Sequence, residues 1–74
     1  MNVVLVRNDA LVFRDKEVMI VRMLADDNTV TEIASKQNLK VRGLEGTVAN
    51  LKRKTGSATI GGLVAYFFRN GLIE

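Results

Sequence analysis

The chain of 74 residues contains no cysteine and no histidine. Without cysteine there is no disulfide, thiol nucleophile or thiolate metal site, and without histidine the commonest general base and metal ligand is missing. Few enzymes lack both residues, so we expect no catalytic site, no metal and no cofactor. The neighbouring carboxylates of Asp26 and Asp27 fall in a polar break between apolar segments, where solvation is the expected state.

Long apolar segments are missing too, since every uninterrupted apolar run is far shorter than the roughly 20 residues that cross a bilayer. The first residues lack the basic start of a secretory signal, and neither end carries a lipidation motif. We therefore expect a cytoplasmic protein with no membrane partner.

The residues that are present suit a single globular domain. Hydrophobic residues make up 47% of the chain and charged residues 26%, proportions typical of a folded rather than a disordered protein. A chain of this length buries only about 60–65% of its unfolded surface, so one core must supply its stability.

Positive charge is concentrated in one segment. Residues 36–54 contain six basic residues and one acid, a net charge of +5, whereas the rest of the chain contains five basic residues and seven acids, a net charge of −2. Such a cluster is either a solvated surface or the electrostatic footprint of a polyanion such as a nucleic acid.

The first twelve residues predict an extended arm that precedes a helical domain spanning residues 13–74. An apolar, β-branched run at 3–6 is followed by a polar turn at 7–9 and a second apolar run at 10–13, which indicates an extended segment or a hairpin. Because an isolated hairpin is marginal in water, the arm must pack on the helical core or pair with another chain. The sequence leaves both open.

Apolar residues at helical spacing predict an all-α, four-helix fold. The helices are expected at about residues 15–26, 30–37, 41–54 and 60–70. Asp15 is placed to cap the first helix, and Thr29 with Glu32 three residues later has the capping-box spacing that starts the second. Gly56 suits the end of the third helix, and Thr59 suits the start of the fourth.

The link between the second and third helices is only about three residues long, at 38–40. So short a link makes two helices cross steeply and indicates a helix-turn-helix, here at residues 29–55. Along the third helix, Leu44, Val48 and Leu51 recur at i, i+4 and i+7 and predict one buried stripe. The opposite face is then free to contact a partner.

Several short motifs between residues 13 and 73 match the pattern of a known family without insertions or deletions. They are Phe13-Arg14-Asp15-Lys16-Glu17, Leu24-Ala25, Glu32-Ile33-Ala34, the apolar positions Leu39, Leu44, Val48 and Leu51, then Lys54, Gly56, Val64-Ala65-Tyr66, Arg69 and Gly71-Leu72-Ile73. In this register the chain resembles the LuxR/GerE family of bacterial helix-turn-helix domains. The resemblance implies that the chain is a DNA-binding transcription regulator. It also implies a candidate dimer contact through the fourth helix, which several family members use in this way.

The third helix departs from the family pattern at its outward positions. Glu45, Gly46 and Ala49 stand where the family often has lysine or other polar side chains that reach base edges. Gly43 replaces a usual threonine, and Thr47 replaces a frequent phosphate-contacting histidine. A glycine inside a helix costs about 1 kcal/mol relative to alanine, and it is tolerated where the backbone must come close to a partner.

The candidate DNA contacts fall into two classes. Base contacts are expected from Arg42, Glu45, Gly46, Ala49 and Asn50, since arginine pairs with guanine and asparagine with adenine. Glu45 can accept from cytosine or instead pair with Arg42, and Asn50 can face the DNA backbone instead. Phosphate contacts, which supply affinity without direct sequence information, are expected from Thr29, Lys36, Lys40, Thr47, Lys52, Arg53 and Lys54. The last three can also complement the dipole of their own helix.

The fourth helix carries an apolar stripe consisting of Ile60, Leu63, Val64, Phe67 and Phe68. Because Tyr66, Phe67 and Phe68 are consecutive, no single face can bury all three, and Leu63 with Phe67 is expected in the core. The candidate dimer contacts are therefore Tyr66, Phe68 and Arg69.

Together these features predict a small transcription regulator that places its third helix in the major groove of duplex DNA, with specific or weakly specific binding. The alternative is a protein-interaction domain that retains the fold without base readout, because Glu45, Gly46 and Ala49 form a smooth patch. Two other patterns are set aside. The glycines of residues 56–63 lack the Lys-Ser/Thr of a phosphate loop, and an RNA-binding glycine loop at 42–46 conflicts with the buried helical stripe.

Overall fold

A computed structural model of the chain describes residues 3–5 and 12–74 and contains four helices and one two-stranded antiparallel sheet. The elements are β1 (Val3–Leu5), β2 (Val12–Arg14), α1 (Asp15–Ala25), α2 (Val30–Lys36), α3 (Val41–Thr55) and α4 (Ile60–Arg69). The all-α prediction is confirmed, and each helix boundary lies within one residue of its predicted position. The remaining part of the predicted arm, residues 1–2 and 6–11, lies outside the described residues.

Most of these helices begin or end at the capping residues that the sequence indicated. The Thr29 hydroxyl accepts from the backbone N–H of Glu32 at 3.1 Å, and the Glu32 carboxylate accepts from the N–H of Thr29 at 2.7 Å. The Thr59 hydroxyl accepts from the N–H of Gly62 at 2.9 Å and caps α4. Gly56 ends α3 in the left-handed conformation, with φ of 71°.

The start of α1 differs from its prediction. Arg14, not Asp15, is the N-cap residue, and its backbone N–H donates to Glu17 Oε1 at 2.8 Å. Asp15 is the first helical residue, because β2 runs directly into α1 with no intervening loop. The carboxylates of both Asp15 and Glu17 then lie in the first turn, where they complement the helix dipole.

The arm is anchored to the helical core through β2. The strands pair in antiparallel register, with Val3 opposite Arg14 and Leu5 opposite Val12. Phe13 points inward from β2, is fully buried, and stacks at a tilt against Phe67 with ring centroids 4.8 Å apart. β2 thus packs against the helical core through Phe13.

One apolar core joins all four helices, β2 and the C-terminal residues. Its buried members are Phe13, Val18, Ile20, Val21, Leu24, Ile33, Ala34, Leu44, Val48, Leu51, Leu63, Phe67, Leu72 and Ile73. No polar or charged residue is buried in the part of the chain that the structure describes. The polar side chains of residues 12–74 are therefore all at least partly exposed.

Residues 37–40 form the short connection between α2 and α3. Asn38 adopts a left-handed conformation with φ of 55°, and the backbone N–H of Leu39 donates to the carbonyl of Ala34 at 2.8 Å. Asparagine tolerates this conformation better than most residues do. The turn brings α3 against α2 while its opposite side remains exposed. Across residues 12–74, no helix has the length and apolar character needed to cross a membrane.

Candidate nucleic-acid interface

The exposed side of α3 presents a stripe with a cation at each end. Arg42, Gly46, Ala49 and Arg53 follow i, i+4, i+7 and i+11 spacing, opposite the buried Leu44, Val48 and Leu51. We call these four residues the outer stripe. At a rise of about 1.5 Å per residue, the Cα atoms of Arg42 and Arg53 are separated by about 16 Å along the helix axis.

The centre of the outer stripe is nearly bare of side chains. A Cβ added at Gly46 would meet no protein atom within 4 Å, and Ala49 contributes only a methyl group. A partner can therefore approach the α3 backbone more closely here than at any ordinary helical residue.

The predicted base contacts differ in how free their side chains are. Asn50 Oδ1 accepts a hydrogen bond from the Arg53 guanidinium at 3.1 Å, so these two side chains form a pair on the surface of α3. Arg42 and Glu45 are exposed, and within residues 12–74 neither takes part in a hydrogen bond or an ion pair. The ion pair expected as an alternative role for Glu45 is thus not formed. Arg42 is free to donate two hydrogen bonds to a partner.

Two of the predicted phosphate contacts near α2 are engaged within the protein. Thr29 is the α2 cap, and its backbone N–H, assisted by its hydroxyl, holds the pKa of the Glu32 carboxyl below its usual range. Lys36 Nζ donates to Asn28 Oδ1 at 2.7 Å, and the Asn28 amide in turn donates to the carbonyl of Met23 at 2.9 Å. Lys36 therefore holds the loop between α1 and α2.

Lys54 is also engaged, in a way that the sequence did not indicate. Its ammonium group donates to the carbonyl oxygen of Val12 and lies 4.7 Å from the centre of the Phe13 ring. A cation over an aromatic face is attracted by the ring quadrupole. Lys54 thus fastens the C-terminal end of α3 to β2, which makes it a less suitable phosphate contact than Lys52 or Arg53.

The N-terminal end of α3 is basic and lacks a side-chain cap. Lys40 is the N-cap residue and makes no capping hydrogen bond, and the first turn contains no acid. The first backbone N–H groups of a helix carry partial positive charge. These N–H groups and the free side chains of Lys40 and Arg42 make this end of α3 electropositive. Thr47, the remaining phosphate candidate, is half-buried and donates its hydroxyl to the carbonyl of Gly43 at 3.2 Å.

The predicted apolar stripe on α4 divides between core and surface. Leu63 and Phe67 are buried as expected, but Ile60 is 39% exposed and Phe68 is 47% exposed. With the half-buried Val64, these two residues follow i, i+4 and i+8 spacing and form a second, outward apolar row. The sequence indicated Phe68 as a candidate dimer contact but gave no sign that Ile60 is also exposed.

The three candidate dimer contacts occupy different environments. Phe68 and Arg69 are exposed, whereas Tyr66 is half-buried and lies edge-on to Phe13, with ring centroids 6.5 Å apart. Tyr66 therefore belongs largely to the core, and Ile60 is the exposed residue of α4 that the sequence analysis missed.

Among the described residues, no three acidic, histidine or cysteine side chains come together in a way that could hold a metal ion. Comparisons of the chain with protein-family models, with curated proteins and with solved structures found no match.

Proposed function

We propose that this chain is a small transcription regulator that binds duplex DNA by inserting α3 into the major groove. In this proposal α2, residues 37–40 and α3 act as a helix-turn-helix of the LuxR/GerE type, and the protein works in the cytoplasm. The observation that carries the proposal is the outer stripe, in which the small residues Gly46 and Ala49 lie between the cations of Arg42 and Arg53. A major groove about 12 Å wide admits such a helix.

The affinity would come from phosphate contacts at the two ends of α3. Lys40 lies at the electropositive N-terminal end, and Lys52 and Arg53 lie at the C-terminal end. Because the two groups are about three turns apart, they can contact the backbone on opposite sides of the groove. Such contacts fix the position of a protein on DNA without selecting its sequence directly.

The sequence preference would be weak. Between the two cationic ends, the outer stripe offers base edges only the Gly46 backbone and the Ala49 methyl, which can contact a thymine methyl. Arg42 is the one residue of the stripe whose side chain is free for the two-bond contact with guanine, because Arg53 already bonds Asn50. We expect one preferred guanine and tolerance elsewhere.

The outward row of α4 would join two copies. Ile60, Val64 and Phe68 present apolar surface with no charged residue between them in sequence. A symmetric contact through this row would place two α3 helices on half-sites separated by about one turn of DNA.

The same bare centre supports a second candidate function, a protein-interaction domain that does not bind DNA. The specific observation in its favour is Glu45, which is exposed beside the outer stripe without a partner in residues 12–74 and would be repelled by phosphates. A flat protein surface with a basic residue opposite Glu45 would fit this face as well.

A salt titration of fluorescence anisotropy with a labelled duplex separates the two functions. The three phosphate contacts from Lys40, Lys52 and Arg53 predict that affinity falls by about fortyfold between 50 and 200 mM salt, because log affinity changes by roughly 0.9 per contact for each decade of salt. Arg53→Glu should weaken binding and lower this slope, while Arg22→Glu on α1 removes the same charge from another face and should leave the slope unchanged. Absence of binding even at low salt would exclude the regulator.

A further inference from the structure

A groove of about 240 Å³ lies between α1 and the N-terminal half of α3. Its apolar lining consists of the half-buried Leu39 and the almost fully buried Ile20 and Leu44. Lys16 on α1 and Lys40 at the start of α3 stand at its rim. It continues into a second depression, toward the start of α1, which Arg14 also lines.

The groove is open because the wall formed by α3 lacks a side chain at one position. Gly43 lines it, and a Cβ added there would meet no atom within 4 Å. The Thr47 hydroxyl also lies on this wall, and it already donates to the Gly43 carbonyl at 3.2 Å. The wall therefore presents mainly helix backbone and apolar surface.

The charges around the groove favour an anion. Lys16 and Lys40 are exposed and take part in no hydrogen bond or ion pair within the described residues. Glu17 is the acid that lines the adjoining depression, and its carboxylate accepts from the backbone N–H of Arg14 at 2.8 Å. Three cations thus face one acid whose carboxylate already serves the start of α1.

The size and the apolar lining identify the kind of anion. An apolar cavity of about 150 Å³ holds a benzene molecule, so 240 Å³ has room for one ring with a short carboxylate side chain. A phosphate of the DNA backbone would satisfy the lysines but would leave the exposed part of the Leu39 side chain uncovered. We propose that the groove binds a small carboxylic acid with a single apolar ring, its ring on the apolar lining and its carboxylate between Lys16 and Lys40.

Occupation of the groove would affect DNA binding. Lys40 belongs both to the rim of the groove and to the cationic end of α3, so a bound carboxylate would neutralise a proposed phosphate contact. This consequence rests on the proposed function, whereas binding of the acid does not. A measurement of the acid alone therefore distinguishes failure of this inference from failure of DNA binding.

The test is a titration of the isotope-labelled chain with phenylacetate, followed through its backbone amide resonances by NMR. We expect saturable shifts at Leu39, Gly43 and Thr47. Benzyl alcohol, which has the ring without the charge, and acetate, which has the charge without the ring, should each bind more weakly. Equal binding of benzyl alcohol would overturn the proposed role of the lysines, and the absence of saturable shifts would overturn the site.

Variants locate the binding within the groove. Lys16→Gln and Lys40→Gln should each weaken phenylacetate binding by roughly three- to fivefold, the effect of losing one exposed ion pair. Arg22→Gln is the matched control, because Arg22 lies on α1 outside the groove and its loss should change nothing. Gly43→Leu should abolish binding by filling the groove, while Gly43→Ala, with a much smaller side chain, should still bind.

Two further outcomes would contradict the proposal. Shifts confined to Ile60, Val64 and Phe68 would show that the ring binds the outward row of α4 instead. Shifts of the groove amides on addition of duplex DNA, with none on addition of phenylacetate, would assign the groove to the DNA interface. A circular dichroism spectrum of each variant checks that its helices remain intact.

Discussion

Replacement of Gly46 by alanine tests whether α3 carries a glycine for contact rather than for folding. Gly46 lies inside the helix, is exposed, and has no positive φ that would favour glycine. An added Cβ would meet no atom within 4 Å. Since alanine is favoured over glycine by about 1 kcal/mol in a helix interior, Gly46→Ala should stabilise the domain by up to about that amount. For a domain of this size, the melting temperature should rise by about 4–8 °C for each kcal/mol.

Gly56→Ala is the matched control, with the same change at the end of the same helix. Gly56 has φ of 71°, a conformation in which a Cβ costs roughly 1–2 kcal/mol. This variant should therefore melt at a lower temperature than the wild type. Thermal unfolding followed by far-UV circular dichroism compares the two variants, and a shift of both in the same direction would refute the conformational reasoning.

The second measurement on Gly46→Ala is its affinity for DNA. If the α3 backbone approaches the base edges at this position, the added methyl group stands between them and should weaken binding even though it stabilises the fold. Fluorescence anisotropy with a labelled duplex measures the change. A variant that is more stable and binds equally well would refute the close approach, and with it the explanation for a glycine at this position.

Contacts elsewhere in the chain are tested by substitutions of Lys54, Glu32 and Phe68. Lys54→Met removes the cation over the Phe13 ring and should lower the free energy of unfolding by about 1 kcal/mol in urea titrations. Its loss of DNA affinity should be smaller than that of Arg53→Met. A larger loss in Lys54→Met would make Lys54 a phosphate contact. Because folding lowers the pKa of Glu32, its contribution to stability is complete above the ordinary carboxyl pKa and is lost as the pH falls through the lowered one. The urea midpoint should thus fall less on acidification in Glu32→Gln than in the wild type, and parallel pH profiles would contradict this. Phe68→Ser should convert a dimer into a monomer in sedimentation equilibrium without loss of helix content, and a wild type that stays monomeric at high concentration would exclude the α4 contact.

The positions of the helices could be predicted because their determinants are local in sequence. The capping residues act on backbone groups within one turn, so their spacing alone defined these helix ends. They are Gly56, Thr59 and the pair formed by Thr29 and Glu32. The failure at Asp15 has a different cause, because β2 pairs with β1 as far as Arg14 and thereby makes Arg14 the cap of α1.

The environments of the site residues were less predictable, because they depend on packing between distant segments. Lys54 and Val12 are 42 residues apart, and no local pattern indicates that one bonds the other. Likewise, helical spacing shows that Ile60 and Phe68 lie on an apolar side of α4 but not which part of that side meets the core. The groove beside Gly43 arises only where α1 and α3 meet, so it leaves no signal in either segment alone.

Amide chemical shifts show whether the outer stripe of α3 contacts duplex DNA. The labelled chain would be titrated with a duplex of one helical turn at low salt. We expect the largest shifts at Arg42, Gly46 and Ala49, with little change along α4. Shifts confined to α4, or saturable shifts with an unlabelled protein partner but none with DNA, would contradict this contact.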